Sequence, residues 1–325
     1  MSTEPQNRAG LGILFVCAGV LAISLNDMLI KQLSGSYPLH EIVFLRSVIG
    51  ILFSLVLVQM EGGLGILRTR HPIAHAVRGL LIVIANMSYF VALAALPLAD
   101  ATALFFAAPL FITLLSIPML GERVGALRLA AVTVGFVGVL IMQRPWADSQ
   151  SLEVARWILL MPVLAALTYA LNQLMTRKLG VDSMASAMSV YIQAMFILVS
   201  AGFFIVAGDG SYARGATNPS LIFLLRAWVW PSPSDWWVMT GLGANAAIIG
   251  YCLSQAYRMA DAATVAPFEY LGLPLAVFWG LVIFGDLPAL EVWLGMALIL
   301  GSGLFVFLRE QQKALLVARG PVKRR

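Results

Sequence analysis

The most prominent pattern in this chain is a series of long apolar segments separated by short polar connections. Each segment is about 20 residues long, which is enough for a helix to cross the ~30 Å hydrocarbon core of a bilayer. There are ten such segments, at residues 11–33, 38–60, 73–96, 99–120, 125–143, 154–179, 182–207, 235–259, 262–284 and 288–308. Segments of this length satisfy their backbone hydrogen bonds in a bilayer as helices. The pattern predicts an all-α polytopic membrane protein with ten transmembrane helices.

The composition agrees with a location in a membrane. Of the 325 residues, 60% are hydrophobic and 11% are charged, and the mean hydropathy is +0.89. Soluble domains are about 25% charged, so this chain lacks the polar groups to cover a surface in water. The net charge of +5 could suggest nucleic-acid binding, but the chain has no soluble segment on which a basic patch could form. No nucleic-acid partner is therefore predicted.

The sequence predicts no cofactor, no metal site and no catalytic constellation. Cys17 and Cys252 lie within apolar segments, where a cysteine usually has a packing role. His71 and His75 have the i, i+4 spacing of two metal ligands but lack a third. There is no Walker loop, so direct use of ATP is not expected. We interpret the chain as a carrier and not an enzyme, with a multi-pass membrane enzyme and a receptor or assembly subunit as the alternatives.

The distribution of basic residues predicts the orientation of the chain. Of the 21 Lys and Arg residues, 15 fall on the side of the two termini and five on the opposite side, with Arg46 inside a span. Cytoplasmic connections carry the excess of Lys and Arg in membrane proteins. Both termini are therefore predicted to be cytoplasmic, in a multi-pass protein of the plasma (inner) membrane. Residues 309–325 form a basic cytoplasmic tail in this interpretation.

Two stretches of the first half of the chain recur in the second half. Leu98–Arg123 recurs as Met259–Asp286: both begin near an Ala-Asp pair, contain internal prolines and include a Gly followed by an acid. Leu25–Leu33 and Leu171–Leu179 share the pattern Leu-Asn, four residues, a base, one residue and Leu. Five predicted helices separate the two copies of this second pattern. Because five is an odd number, the two halves are predicted to have opposite orientations in the membrane.

The recurrence divides the chain into two five-helix repeats of inverted topology, at residues 11–144 and 154–308. Inverted repeats are typical of secondary transporters, whose substrate site lies near the bilayer midplane between the repeats. The connection at residues 208–234 is long and rich in tryptophan, which suits either an interfacial anchor or a lid.

The motifs of the two repeats resemble the EamA branch of the drug/metabolite transporter superfamily over about residues 11–308. The first repeat carries Pro109 and the motif Leu120-Gly121-Glu122-Arg123. The second carries Ala266-Pro267-Phe268-Glu269-Tyr270-Leu271 and Phe284-Gly285-Asp286, with Asp where the family more often has Glu. The resemblance implies movement of small organic molecules by alternating access. We interpret these family-motif residues as structural: Pro109, Gly121, Glu122, Gly285 and Asp286.

Four charged residues inside the predicted spans are candidates for substrate binding or coupling. A charge at the bilayer centre costs at least about 2.5–3.5 kcal/mol, so each one needs a partner or a wet cavity. Asp27 and Arg46 lie at similar depth from one face, which permits a pair, although Lys31 is one turn from Asp27 and could compete for it. Glu269 is the first candidate for a coupling or cation-binding acid. The structural alternatives for Glu269 are a contact with a helix end or a pair with Arg78, which could also extend to the surface.

Neutral polar residues inside the spans complete the candidate site. Buried amides in lipid either bond another helix or contact a substrate. The candidates of this type are Asn26, Asn86, Tyr89, Asn172, Gln173, Gln193, Asn245, Gln255 and Tyr270. Asn26 and Asn172 occupy equivalent positions in the two repeats.

Together these patterns predict a secondary transporter that moves a small organic metabolite or an amphipathic drug-like compound by alternating access. The predicted partners are this substrate and the lipid bilayer. Proton coupling and a homodimer are left open, as are the substrate and the direction of transport.

Overall fold

The computed structural model describes residues 9–121, 124–144, 146, 154–179, 185–259 and 268–318, and every regular element in these ranges is helical. The α-helices are α1 Ala9–Leu33, α2 Leu39–Glu61, α3 Pro72–Leu93, α4 Leu98–Phe105, α5 Ala108–Leu120, α6 Ala126–Gln143, α7 Arg156–Leu179, α8 Ala185–Ala207, α9 Pro219–Leu225, α10 Asp235–Met259, α11 Gly272–Trp279 and α12 Leu290–Ala318. Short 3-10 helices occur at Leu64–Leu67 and Ser211–Ala213, and a π-helical turn, Gly280–Phe284, continues α11.

Eight helical segments of the described chain are long and apolar enough to cross a membrane. They are Gly10–Leu33, Leu39–Glu61, Pro72–Leu93, Leu98–Met119, Ala126–Gln143, Arg156–Met175, Ser186–Ala207 and Asp235–Leu253. Two shorter apolar helical segments, Gly272–Phe284 and Leu290–Val306, coincide with the last two predicted spans. The prediction of an all-α polytopic membrane protein is therefore confirmed, and the count of ten spans stays a prediction.

The fourth predicted span is interrupted near its middle. Helix α4 ends at Phe105 and α5 begins at Ala108. Pro109 lies in the first turn of α5, where the backbone N–H groups have no partner within the helix, so that the N–H missing from proline costs no hydrogen bond. Gly121 ends α5 in the left-handed region at φ 69°, and Gly285 ends the π-helical turn at φ 70°. The two motif glycines therefore have the same backbone role, which only glycine fills without strain. Glu122 lies outside the described residues.

Helix packing joins the first half of the chain to the second. Helix α1 packs on α10, α2 on α8, α3 on α7, α4 on α11 and α6 on α12. Helices α6 and α12 approach each other closely at Gly138 and Gly295. A Cβ atom at Gly138 would lie only 2.8 Å from the carbonyl oxygen of Gly295. Gly138 of α6 therefore packs directly against α12 of the same chain.

Large apolar side chains lie on the outside of the bundle. Examples are Met60, Leu198, Ile205 and Leu140, whose exposed fractions are 78%, 66%, 82% and 53%. Water would not accommodate so much exposed apolar surface, whereas lipid does. The exposure pattern agrees with a bundle surrounded by a bilayer.

Contacts at the helix ends define two faces of the bundle. At one end, here named the Lys31 face, the Tyr37 hydroxyl donates to Asp235 Oδ2 at 2.6 Å, between the starts of α2 and α10. At the other end, named the Glu61 face, the Ser186 hydroxyl donates to Glu61 Oε2 at 2.7 Å.

The long connection at residues 208–234 packs across the Lys31 face. Its helix α9 is capped by Asn218, and the Ser220 hydroxyl donates to the Val91 carbonyl of α3 at 2.7 Å. The Val229 amide donates to Glu41 Oε2 of α2 at 3.1 Å. Trp230 is 81% exposed, as expected for a side chain at a membrane interface. These contacts anchor the connection to the ends of α2 and α3.

Candidate functional site

A cavity of about 410 Å³ lies among helices of both halves of the chain. This volume is within the range of ~300–1,000 Å³ that is usual for small-molecule sites. Its wall is mostly apolar and contains the six aromatic residues Tyr89, Phe90, Phe105, Phe106, Tyr169 and Phe196. Polar groups are few and include Asn26, Asp27, Arg46, Asn86, Gln193 and Glu269. A mostly apolar wall with a few placed polar groups is the usual design of a binding site for a small organic molecule.

The charged residues Asp27 and Arg46 both line the cavity and are connected through Asn26. Arg46 Nη1 donates to Asn26 Oδ1 at 3.2 Å, and Asn26 Nδ2 donates to Asp27 Oδ1 at 3.1 Å. The pairing predicted between Asp27 and Arg46 is thus relayed by an amide instead of being a direct ion pair. Depth along α1 and α2 predicts that these residues are neighbours, but only the structure shows Asn26 between them.

Arg46 is almost completely buried, with 5% of its surface exposed. The central carbon of its guanidinium group lies 5.7 Å from the ring centre of Phe90 and 5.3 Å from that of Phe196. A cation over an aromatic face is stabilised by roughly 2 kcal/mol when it is removed from water. The two rings and Asn26 therefore hold the charge of Arg46 in the cavity wall.

Aromatic side chains form a continuous part of the wall between α3, α4 and α7. The ring centres of Tyr89 and Phe105 are 5.5 Å apart, and those of Phe105 and Tyr169 are 5.4 Å apart. The Tyr89 hydroxyl bonds Thr102 Oγ1 at 2.9 Å. Gln173 Nε2 donates to the Tyr169 hydroxyl at 2.7 Å, so that Gln173 supports the wall without lining it. This arrangement offers a planar ligand several ring faces and edges.

Glu269 lines the cavity just after residues 260–267, which lie outside the described part of the chain. Its neighbour Tyr270 is not part of the wall and packs against Phe106, with ring centres 5.4 Å apart. Asn86 lines the cavity, and its Nδ2 donates to the Ile82 carbonyl on its own helix at 3.0 Å.

The other candidates from the sequence lie away from the cavity. Arg78 is 6% exposed, and its Nη1 lies 3.4 Å from His75 Nδ1, toward the Glu61 face. Asn172 is buried, whereas Gln255 is partly buried, and neither lines the cavity. Asn245 connects two helices, since its Nδ2 donates to the Ala22 carbonyl of α1 at 2.7 Å.

Several lining residues were not among the sequence candidates. Thr102, Phe105, Phe106 and Phe196 belong to this group. Thr102 lies in the stretch that recurs in the second half, and this recurrence is the one signal that could have found it. The phenylalanines give no such signal, because a ring facing lipid and a ring facing a cavity look alike in an apolar segment.

A cluster around Lys31 lies between the cavity and the Lys31 face. Lys31 is one turn beyond Asp27 on α1, and its Nζ donates to the Leu96 carbonyl after the end of α3. Lys31 Nζ also lies 3.9 Å from Asp286 Oδ2 and 5.1 Å from the ring centre of Phe284. Lys31 thus pairs with Asp286 instead of Asp27. The cluster joins α1 and α3 to the π-helical turn.

The sequence is similar to known transporters along most of its length. A model of the EamA-like transporter family matches residues 10–144. The riboflavin transporter of Rhizobium johnstonii is 33% identical over 315 residues, which cover 96% of each chain. The riboflavin transporter of Vibrio cholerae is 30% identical and covers 93% of this chain and 95% of its own. The S-adenosylmethionine uptake transporter of Rickettsia prowazekii is 26% identical, with coverages of 93% and 94%.

A solved crystal structure shares the fold, with a TM-score of 0.60 over 93% of this chain and 98% of its own, at 21% identity. The similarity to the Rhizobium protein extends over both halves of the chain, including the part beyond the family match. The chain therefore belongs to the EamA-like transporter family, and it is a multi-pass membrane transporter of small molecules and not an enzyme.

Proposed function

We propose that this transporter carries a planar aromatic heterocycle with a polar side chain, and that riboflavin is the first candidate. The observation that carries the proposal is the cavity wall, in which six aromatic residues surround a small number of polar groups. Aromatic rings prefer offset-stacked and edge-to-face arrangements, which a flat ring system can adopt against them. Two relatives at 30% identity or more, from Rhizobium johnstonii and Vibrio cholerae, are riboflavin transporters.

The linked pair of Arg46 and Asp27 in the wall is compatible with a substrate without net charge. Arg46 and Asp27 are of opposite sign and are linked through Asn26, so they offset each other within the protein. Glu269 adds a further acid, which supports S-adenosylmethionine, a sulfonium cation with an adenine ring, as the second candidate. The relative from Rickettsia prowazekii is named as an S-adenosylmethionine uptake transporter.

Exchange by purified protein in liposomes tests the substrate without any assumption about direction. Vesicles loaded with unlabelled riboflavin are expected to accumulate labelled riboflavin from outside, and protein-free vesicles are not. The same measurement with S-adenosylmethionine tests the second candidate. Exchange of neither compound would contradict this choice of substrate class.

The architecture of the proposal is ten spans in two inverted repeats, 11–144 and 154–308. The packing of the helices supports it. A two-fold axis between the repeats would exchange span one with span six, two with seven, three with eight, four with nine and five with ten. In helix numbers it exchanges α1 with α7, α2 with α8, α3 with α10, α4 with α11 and α6 with α12. The contacts α2–α8, α4–α11 and α6–α12 are unchanged by this exchange. The same axis exchanges the α1–α10 contact with the α3–α7 contact, and both of these occur.

In the proposed orientation both termini lie in the cytoplasm and the Lys31 face lies on the outer side of the inner membrane. The distribution of Lys and Arg supports it, with 15 on the side of the termini and five on the opposite side. Replacement of Gly320 by cysteine allows a direct measurement. A thiol reagent that cannot cross the membrane is expected to label this cysteine in inverted vesicles and not in intact cells. Labelling in intact cells would contradict the orientation.

Alternating access is the transport mechanism of the proposal. The cluster around Lys31 supports a state that is closed at the Lys31 face, because it connects α1 and α3 to the π-helical turn. The break between α4 and α5 beside the cavity supports a bend in this span.

Proton coupling through Glu269 is part of the proposal, since this acid lines the cavity from the ninth predicted span. Glutamine has the same shape but cannot exchange a proton. Glu269→Gln is therefore expected to abolish accumulation driven by a pH gradient while exchange continues within about threefold. The matched control is Glu291→Gln, which changes an acid at the Lys31 face that pairs with Arg144. Gradient-driven accumulation by Glu269→Gln at the wild-type level would contradict this role.

A further inference from the structure

Two buried polar groups of the cavity wall have no hydrogen-bond partner among the described residues. They are the Nε–H group of Arg46 and the carboxamide oxygen of Gln193, in side chains that are 5% and 6% exposed. Most buried polar atoms in proteins are hydrogen-bonded, because a buried group without a partner loses its bonds to water. Orphan groups that line a cavity are therefore positions where a ligand can supply the missing partner.

The two groups are adjacent in the wall. Gly50 follows Arg46 by one turn on α2, and a Cβ atom at Gly50 would lie 2.9 Å from Gln193 Nε2. On α8, Phe196 follows Gln193 by one turn, and its ring lies under the Arg46 guanidinium group. The glycine at position 50 leaves the space that the Gln193 carboxamide occupies. Arg46 and Gln193 are thus held side by side by reciprocal contacts between α2 and α8.

The chemistry of the pair defines the ligand edge that it can bind. Arginine has only hydrogen-bond donors, whereas glutamine offers an acceptor oxygen and a donor NH₂ group. A ligand that satisfies both Arg46 and the Gln193 oxygen presents a hydrogen-bond acceptor next to a donor, as a carbonyl oxygen beside an N–H group does. Cyclic amides and imides have this edge, and they are planar. The rings of Phe90 and Phe196 lie beside the same guanidinium group, where the plane of such a ring system would pack.

We propose that Arg46 and Gln193 form a subsite that binds the imide edge of a planar heterocycle, with Arg46 donating to its carbonyl oxygen and Gln193 accepting its N–H. This inference rests on the proposed function and narrows its substrate class. In riboflavin the edge is the pyrimidine-dione part of the ring system, with the N–H at position N3. The ribityl chain then extends toward the other polar groups of the cavity.

The test compares riboflavin with N3-methylriboflavin, which lacks the N–H group but keeps the ring system and the chain. Sites that hydrogen-bond a substrate group reject analogues without it, because the protein group is then left unpaired. We expect wild-type vesicles to exchange riboflavin at least about tenfold faster than the methylated analogue. Gln193→Leu is expected to reduce riboflavin exchange and to bring the two flavins within about threefold of each other. The matched control, Gln255→Leu, changes a glutamine outside the cavity and is expected to keep the preference.

The outcomes separate this inference from the proposed function. Equal exchange of the two flavins by the wild type would overturn the subsite alone, and this comparison needs no variant that has to fold. Retention of the tenfold preference by Gln193→Leu would also overturn it. Absence of riboflavin exchange by the wild type would overturn the inference, and absence of exchange of both riboflavin and S-adenosylmethionine would overturn the proposed function as well.

Discussion

Replacement of Arg46 by lysine is expected to slow riboflavin exchange by about tenfold to a hundredfold while the protein still folds. Lysine keeps a positive charge near Asn26 and Asp27, so the partly buried carboxylate of Asp27 does not lose its counter-charge. Lysine lacks the planar group that lies against Phe90 and Phe196, that donates from Nη1 to Asn26 and that has Nε–H available for a substrate. The measurement is exchange in liposomes, with the melting temperature of each variant as the check on folding.

A matched control for this variant exists on the Lys31 face. Arg226 donates to the Gly35 carbonyl at 2.6 Å and lies outside the cavity, so Arg226→Lys is expected to stay within about twofold of the wild type. Exchange by Arg46→Lys at the wild-type rate would mean that only the charge of Arg46 matters. The guanidinium group would then have no role in binding the substrate.

Replacement of Lys31 by methionine is expected to open the cavity toward the Lys31 face and to reduce transport by about tenfold. The change removes the ion pair with Asp286 and the hydrogen bond to Leu96, both of which hold α1 against neighbouring elements. A population shift of tenfold needs only about 1.4 kcal/mol of differential stability, which the loss of these partly buried contacts can supply. The readout is the labelling rate of a cysteine at Ala246, in the cavity wall, by an impermeant thiol reagent.

The labelling is measured from the Lys31 side in protein whose Cys17 and Cys252 are replaced by serine. Arg144→Met is the matched control, because it breaks the exposed pair of Arg144 with Glu291 on the same face. Exposed pairs contribute little to stability, so this variant is expected to be labelled at the rate of the parent. Equal labelling of the Lys31→Met and Arg144→Met proteins would exclude the Lys31 cluster as a gate.

Much of the fold could be predicted because membrane spans have a strong sequence signal. A segment of about 20 apolar residues has few alternatives to a spanning helix, and eight of the predicted spans correspond to helices that meet this criterion. The prolines of the fourth span indicate that it can bend, but they do not place the break between Phe105 and Ala108, since the apolar run continues through it and Pro109 is compatible with a helix start. The hydrophobic pattern reports where the chain is apolar and not where a helix is interrupted.

The candidate site was predicted in part, for a related reason. Depth along a helix follows from residue counting, and it brought Asp27, Arg46 and Glu269 to the level of the cavity. Rotation about the helix axis does not follow from counting when the whole helix is apolar. Asn172 occupies the position equivalent to Asn26 in the sequence repeat, yet it lies away from the cavity, and the sequence pattern does not distinguish the two residues.

Neighbouring residues illustrate the same limit of sequence reasoning. Glu269 lines the cavity, whereas Tyr270 turns toward Phe106. Gln193 was one amide among several in the sequence. Only its burial, its position against Gly50 and its missing partner distinguish it from Asn245, which bonds the Ala22 carbonyl of α1.

A planar heterocycle that binds in the cavity lined by Arg46 and the aromatic residues is expected to protect a cysteine in the cavity wall from alkylation. In the protein without Cys17 and Cys252, riboflavin is expected to slow alkylation of Ala246→Cys at least about fivefold at saturation. Alkylation of Gly241→Cys, on the same helix but outside the cavity, is expected not to change. Riboflavin exchange without protection at position 246 would show that the substrate does not bind in this cavity and crosses the protein by another route.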